Sequence, residues 1–227
     1  MGAGAFDPKG FSGVVPLFPL PNVILFPGMF LPLHIFEPRY REMTADALRG
    51  EKLIAMALLK PGWEDQYEGS PPIHPVMGMG KIVEHATLQD GRYNLVLLGL
   101  VRVRLIQEVG GGAYRSAKVE LLEEAAQEPQ GYDRKRRTLL MIYAELMKAL
   151  GKGVPLPPDD VPLGMLCDLV SSLLGFDPAS RQRLLEELDA GARCDFIMKA
   201  FEEHPAREPG AAGRRRRAWP PKGPSLN

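Results

Sequence analysis

The sequence predicts an α+β protein: a β-rich half containing one helix, followed by an all-α half. Short runs rich in valine, isoleucine and leucine, bounded by glycine, proline and aspartate, recur from Val14 to about Glu124. From about Asp133 the apolar spacing changes to a helical period. No internal repeat and no strand–helix alternation is visible, so a parallel β/α architecture is excluded.

Residues 1–12 carry three glycines in their first ten positions and no apolar period, which predicts a flexible lead-in. Strands are then expected at Val14–Phe18, Asn22–Phe26, Leu53–Leu59, Val76–Glu84, Tyr93–Leu98, Val101–Val109 and Tyr114–Leu122. Asp90-Gly91 predicts a tight hairpin, because glycine accepts positive φ. Val101 to Leu105 alternates strictly, which predicts arginines 102 and 104 facing outward. One helix opens at Glu37-Pro38, lines one face with Tyr40, Met43 and Ala47, and ends at Gly50.

Four helices follow. Leu139, Tyr143, Leu146 and Leu150 form the stripe of the first. The second has Asp160 as its expected N-cap and Leu166, Leu169, Val170, Leu173 and Leu174 inside. Asp177-Pro178 opens the third, with Gly191 as its expected stop, and the last runs from about Ala192 to Glu203. Beyond residue 204 the chain turns to glycine, proline, alanine and arginine, which predicts disorder. The expected organisation is a flexible N-terminus (1–12), a β domain (13–125), a helical subdomain (126–204) and a basic tail (205–227).

Lysine plus arginine (28) balance aspartate plus glutamate (28), and 45% of residues are hydrophobic. That balance excludes wholesale disorder and a globally basic nucleic-acid binder. The balance is uneven, since residues 204–227 hold six basic side chains against Glu208, leaving a body of −5. No stretch approaches the roughly 20 apolar residues of a membrane span. The Gly-rich start lacks a basic n-region, so a cytoplasmic protein without a membrane partner is expected.

Catalytic motifs are missing. No serine sits in a Gly-x-Ser-x-Gly elbow, and Ser116 with Lys118 reads as one solvent-facing side of a strand. No P-loop occurs; Gly78-Met79-Gly80-Lys81 lies within a predicted strand, with no helix start behind it. His34, His74, His85 and His204 are scattered, so no metal and no cofactor is expected. His34, in an apolar run, is expected to pack with a backbone hydrogen bond. Cys167 and Cys194 read as buried small hydrophobes in a reducing compartment.

The run Val15 to Met29, with Pro16, Pro19, Pro21 and Pro27 around a short aliphatic strand, resembles the opening of the Lon protease N-terminal domain family. Further pieces are similar to that family in order: Ile54–Leu59, Pro75–Ile82, Asp90 to Arg104, Tyr114–Glu124 and the leucine-rich helices to Glu203. The resemblance implies a PUA-like β pseudo-barrel with one inserted helix, followed by a C-terminal four-helix subdomain. It also implies a non-catalytic recognition module for unfolded or partner polypeptide, a complete Lon-type protease among the partners. At 227 residues the chain is expected to be a stand-alone form without ATPase or protease modules.

Candidate peptide contacts are Phe26, Met29 and Phe30 in a turn-containing connection, and Trp63 and Tyr67 in a charged, Gly- and Pro-bounded loop. The competing reading packs Phe26 and Phe30 into the core and folds Trp63 and Tyr67 over the barrel as a lid. A groove is expected at the barrel–helix junction. The alternative function is RNA binding through Arg214, Arg215, Arg216 and Arg217, which the balanced overall charge disfavours.

Overall fold

Among the described residues, six strands and five α-helices form, one helix inside the β-rich half and four after it. The computed structural model describes residues 8–66, 69–124, 131–151, 157–158 and 160–203. Strands are β1 (Val14–Leu20), β2 (Phe30–Ile35), β3 (Leu53–Leu58), β4 (Val76–Thr87), β5 (Tyr93–Val109) and β6 (Ser116–Leu122). Helix α1 (Pro38–Arg49) is inserted after β2. Four helices follow the sheet: α2 (Tyr132–Ala149), α3 (Leu163–Leu173), α4 (Pro178–Glu186) and α5 (Ala190–Glu203).

The strands join in the order β2-β5-β4-β3-β1-β6, and β5 also pairs β6. One edge of β5 is therefore used twice. Tyr93–Leu98 pairs β2, and Arg102–Val109 pairs β6. The sheet coils back on itself as a pseudo-barrel and not as a closed barrel, for β1 and β6 share three register pairs only. The two runs expected at Tyr93–Leu98 and Val101–Val109 are thus one continuous strand, with Gly99 at the changeover.

Gly99 is needed there because another backbone lies against it. Residues 21–29 cross the sheet as irregular chain, and Gly99 exchanges hydrogen bonds with them (Gly28 N to Gly99 O, 2.8 Å; Gly99 N to Met29 O, 2.9 Å). A Cβ on Gly99 would stand 2.1 Å from the Phe26 carbonyl oxygen, and one on Gly78 would stand 1.7 Å from that of Leu25. The expected strand at Asn22–Phe26 does not form; β2 forms after it instead. The Pro27-Gly28 turn, with Gly28 at φ +76°, separates the two. Pro32 is tolerated because β2 is an edge strand.

Burial follows from this winding. Val15, Leu17, Ala55, Met77, Met79 and Val103 fill the barrel interior, while Phe18, Ile54, Met56, Leu95 and Leu97 pack against Tyr40 and Met43 of α1. All six residues of β3 are buried, as befits a central strand covered on both faces. A third cluster joins Ile24, Phe26, Leu58, Val76 and Leu122 to Leu139, Leu166, Val170, Leu184 and Ile197 of the helices.

Helix ends differ from expectation at two points. Pro162, extended at ψ 146°, is the residue before α3, so Asp160 is not its N-cap; Val161, preceding a proline, is itself kept out of helix. Gly191 lies inside α5 and does not stop α4, because Asp189 starts α5 early by accepting from Ala192 N at 2.7 Å. Asp177 caps α4 as expected, accepting from Ser180 N at 2.9 Å and Ser180 Oγ at 2.8 Å. Those bonds hold its carboxyl below the usual carboxylate range. Replacing Asp177 by alanine should cost about 0.5–2 kcal/mol of stability, read from urea unfolding at neutral pH. A depressed folded-state pKa stabilises above the unfolded value of about 3.9, and the gain is lost as pH falls through the folded value. The difference between Asp177→Ala and the parent should therefore shrink below pH of about 3.9.

Candidate functional site

Phe26, an expected peptide contact, is 1% exposed and belongs to the core between sheet and helices. It is buried because its segment crosses the sheet under α4, with the Arg181 guanidinium 5.9 Å from its ring. Met29 is half-buried between two clusters, and Phe30, at the start of β2, is 68% exposed. Beside them lies the exposed Met165 of α3, whose Cε is 3.5 Å from the position a Cβ on Gly28 would take. We call the turn at Gly28, with Met165 against it and Met29 and Phe30 next in the chain, the apolar lip. Trp63 is half-buried against the barrel-interior cluster and is not brought to that lip. Tyr67 and Arg214–Arg217 lie outside the described residues.

At the barrel–helix junction the described side chains of sheet and helices pack into one cluster. At its centre is a polar cluster. Arg102, expected to face solvent, is 1% exposed. Its Nη1 and Nη2 bind Asp168 of α3 at 3.0 and 2.6 Å, Nη1 also reaches Glu124 at 2.7 Å, and Nε donates to the Leu185 carbonyl of α4 at 2.9 Å. Arg193 of α5 completes the quartet. Its Nη2 stands 2.9 Å from Glu124 Oε2, an ion pair short of hydrogen-bond alignment, and its Nη1 donates to Glu187 O. Two cations thus face two anions with no excess charge. Burial pushes the Asp168 carboxyl up, and the Arg102 guanidinium opposes that shift. Gly164 leaves the space, since a Cβ there would stand 2.1 Å from Glu124 Oε2. Strict alternation misread Arg102 because β5 leaves solvent where the helices cover it. The available signal was Asp168, an acid inside an apolar helix stripe.

A cleft of about 650 Å³ opens at the other side of the barrel, between the N-terminus of α1, residues 69–71 and the β5–β6 hairpin. Arg115 braces its walls, donating through Nε to Glu108 at 2.8 Å and through Nη1 to Pro71 O at 2.8 Å. Tyr114 ties the hairpin to α1 by donating to Asp46 at 2.8 Å. Burial and that bond push its phenol up to about 12. Sequence reasoning missed this cleft; its one trace was the run Gly110-Gly111-Gly112.

No arrangement of nucleophile, base and orienting group converges among the described residues. A hydrogen bond with Cys194 and burial push the Cys167 thiol far up, so it is held as an inert thiol. Both cysteines are free and fully buried. His34 is exposed, and its Nδ1 pairs with Asn94 Oδ1 at 2.7 Å, not with backbone as expected. Among the described residues, no group of three or more histidine, cysteine or acidic side chains could hold a metal, and no helix is long and apolar enough to cross a membrane.

The chain matches the family model described as the ATP-dependent protease La (LON) substrate-binding domain over residues 14–202. It is 28% identical over 195 residues to the Lon protease of Paraburkholderia phytofirmans, covering 81% of this chain and 23% of that protein. It is 27% identical over 192 residues to the Lon protease of Dictyoglomus thermophilum, covering 81% of this chain and 24% of that protein. The chain thus spans about a quarter of the length of these curated relatives. The crystal structure of a Lon N-terminal domain protein from Xanthomonas campestris superposes with a TM-score of 0.62 at 22% identity, over 82% of this chain and 97% of that one. The N-terminal domain of a Mycobacterium avium complex Lon protease gives 0.54 at 18% identity, over 84% and 99%. At such identities the two structures establish the fold.

Proposed function

The chain belongs to the Lon substrate-binding domain family, and from that membership we propose that it recognises polypeptides without cutting them. The match over residues 14–202 carries the reading. The division into a β domain to residue 125 and a helical subdomain from 126 to 204 is part of the same proposal.

The partner is a polypeptide with exposed apolar side chains, an unfolded chain or a Lon-type protease. Met29 and Phe30, with Met165 added, supply the apolar contact; burial of apolar area contributes roughly 25 cal/mol per Å² before ordering costs. Trp63 remains a candidate at the barrel flank, and Tyr67 beside it in sequence.

Binding is tested with a fluorescently labelled, reduced and carboxymethylated polypeptide, read as anisotropy. The parent should bind, and binding should persist in added salt, because apolar contact is not screened. Phe30→Ser combined with Met165→Ser should weaken it by roughly tenfold or more, the scale of a contact hot spot. Both positions are exposed, so the fold should survive. A parent that binds no unfolded polypeptide removes the reading; unchanged affinity in the double variant removes the lip.

A further inference from the structure

Cys167 and Cys194 are the two cysteines of the chain, and polypeptide recognition makes no use of either. They meet where α3 packs on α5. Cys167 Sγ stands 3.5 Å from the Ala190 carbonyl oxygen, and Cys194 follows Ala190 by one helical turn on the same side of α5. The next residue of α3 repeats the match, since Asp168 Oδ1 lies 3.9 Å from Arg193 Nε. Small residues let the helices approach closely there. Gly191 is buried in α5, and a Cβ on Gly164 of α3 would stand 2.5 Å from Arg193 Nη2. The two thiols share a hydrogen bond across this contact.

The sulfurs are not equivalent. The hydrogen bond from Cys167 and the nearby Lys135 ammonium hold the Cys194 thiol below its usual range, against the opposing effects of burial and Asp195. Lys135 is fixed beside α5 by bonds to Asp195 Oδ1 at 2.6 Å and Gly191 O at 3.1 Å. Thiolate character therefore falls on Cys194, with a protonated thiol against it, the division of an attacking and a resolving cysteine. Both are buried, but Cys194 Sγ touches Met198 Sδ at 3.6 Å, and Met198 is only partly buried. An oxidant near the size of water enters when that unbranched, flexible side chain swings aside.

We propose that Cys167 and Cys194 are a redox pair, which a hydroperoxide converts to a disulfide locking α3 to α5. The Cys194 thiolate attacks a peroxide oxygen; an S–O bond forms, the O–O bond breaks, and the departing hydroxide takes up the proton Cys194 had released. The Cys167 sulfur then attacks the sulfenic sulfur. The S–S bond forms, the S–O bond breaks, and the Cys167 proton leaves with the oxygen as water. With hydrogen peroxide, two thiols lose two electrons and one peroxide becomes two waters. The bond fixes the helix that carries Met165, two residues before Cys167, yet its formation does not depend on what the lip binds.

The full chain, reduced and freed of reductant, is treated with hydrogen peroxide, and remaining thiols are trapped with a maleimide in denaturant. Both thiols should be lost together in a monomer lighter by two hydrogens, with a crosslinked peptide joining Cys167 to Cys194, and dithiothreitol should restore them. The oxidised chain should melt about 5 °C higher or more, because the bond closes a loop in the unfolded chain. Cys167→Ser should stop at a sulfenic acid on Cys194 that dimedone captures. Cys194→Ser should leave Cys167 at least roughly tenfold slower to react, as its thiol stays protonated. The two alanine variants repeat the comparison where serine unfolds the chain. Thiols that persist in the folded protein, a bond between two copies, a disulfide formed only in urea, first oxidation at Cys167, or an oxidised chain melting no higher than the reduced one would each overturn the proposal.

Discussion

Arg102→Ala should lower the unfolding free energy by about 3–5 kcal/mol, because it strands the buried carboxylate of Asp168. Arg102 and Asp168 are each 1% exposed and joined by two hydrogen bonds, so the carboxylate loses both at once when the guanidinium is removed. Arg193, with Nε 3.9 Å from Asp168 Oδ1, still attracts the carboxylate but makes no hydrogen bond to replace the two that are lost. The matching expectation concerns the pair. Arg102→Met combined with Asp168→Leu removes both charges and should recover most of the loss, because a desolvated ion pair gains little over packed apolar groups. Urea unfolding of the two single variants and the double one supplies the cycle. A loss below about 1 kcal/mol for Arg102→Ala, the scale of an exposed ion pair, would show that the quartet is hydrated in solution.

The second large effect belongs to a methyl group. Gly78→Ala places a Cβ 1.7 Å from the Leu25 carbonyl oxygen, and Gly99→Ala places one 2.1 Å from that of Phe26. Both obstacles are backbone, so no rotamer change relieves them. Residues 21–29 must lift from the sheet, taking Leu25 and Phe26 out of two core clusters. Overpacking ordinarily costs about 1–3 kcal/mol, and Gly78→Ala should meet or exceed the top of that range. Gly110→Ala is the control, since a Cβ there meets nothing within 4 Å; it should stay within roughly 0.5 kcal/mol. Chemical denaturation orders the three. Parent-like stability in Gly78→Ala would mean that the crossing segment does not rest on the sheet.

Elements governed by local chemistry were legible in the sequence, and those governed by winding were not. Glu37-Pro38 and Gly50 bracket α1, Asp90-Gly91 turns β4 into β5, and Asp177 opens α4, each through a bond or dihedral set by adjacent residues. The same local reading placed a strand at Asn22–Phe26, where the aliphatic run is buried by crossing glycines on β4 and β5 and not by pairing. It turned Arg102 outward, because period two says which face a side chain takes but not whether helices cover that face. Phe26 failed as a contact for the same reason, while Phe30, four residues on, is exposed at a sheet edge. The cleft was invisible because its parts come from residues near 20, 38, 70 and 110. No single window of sequence holds it.

The position of β1 has a consequence for how the chain is made. Val14–Pro16 pairs with Ser116–Lys118, and Leu17–Leu20 pairs with Ala55–Leu58. The first strand synthesised therefore waits for the last before its outer edge is covered. Closing so long a loop is entropically costly, and folds dominated by such pairings form slowly. At synthesis rates of about 5–20 residues per second, the apolar edge of β1 stays uncovered for several seconds or more after leaving the ribosome. In that interval the nascent chain is itself an exposed aliphatic strand, open to any β-edge or holding factor that reaches it first.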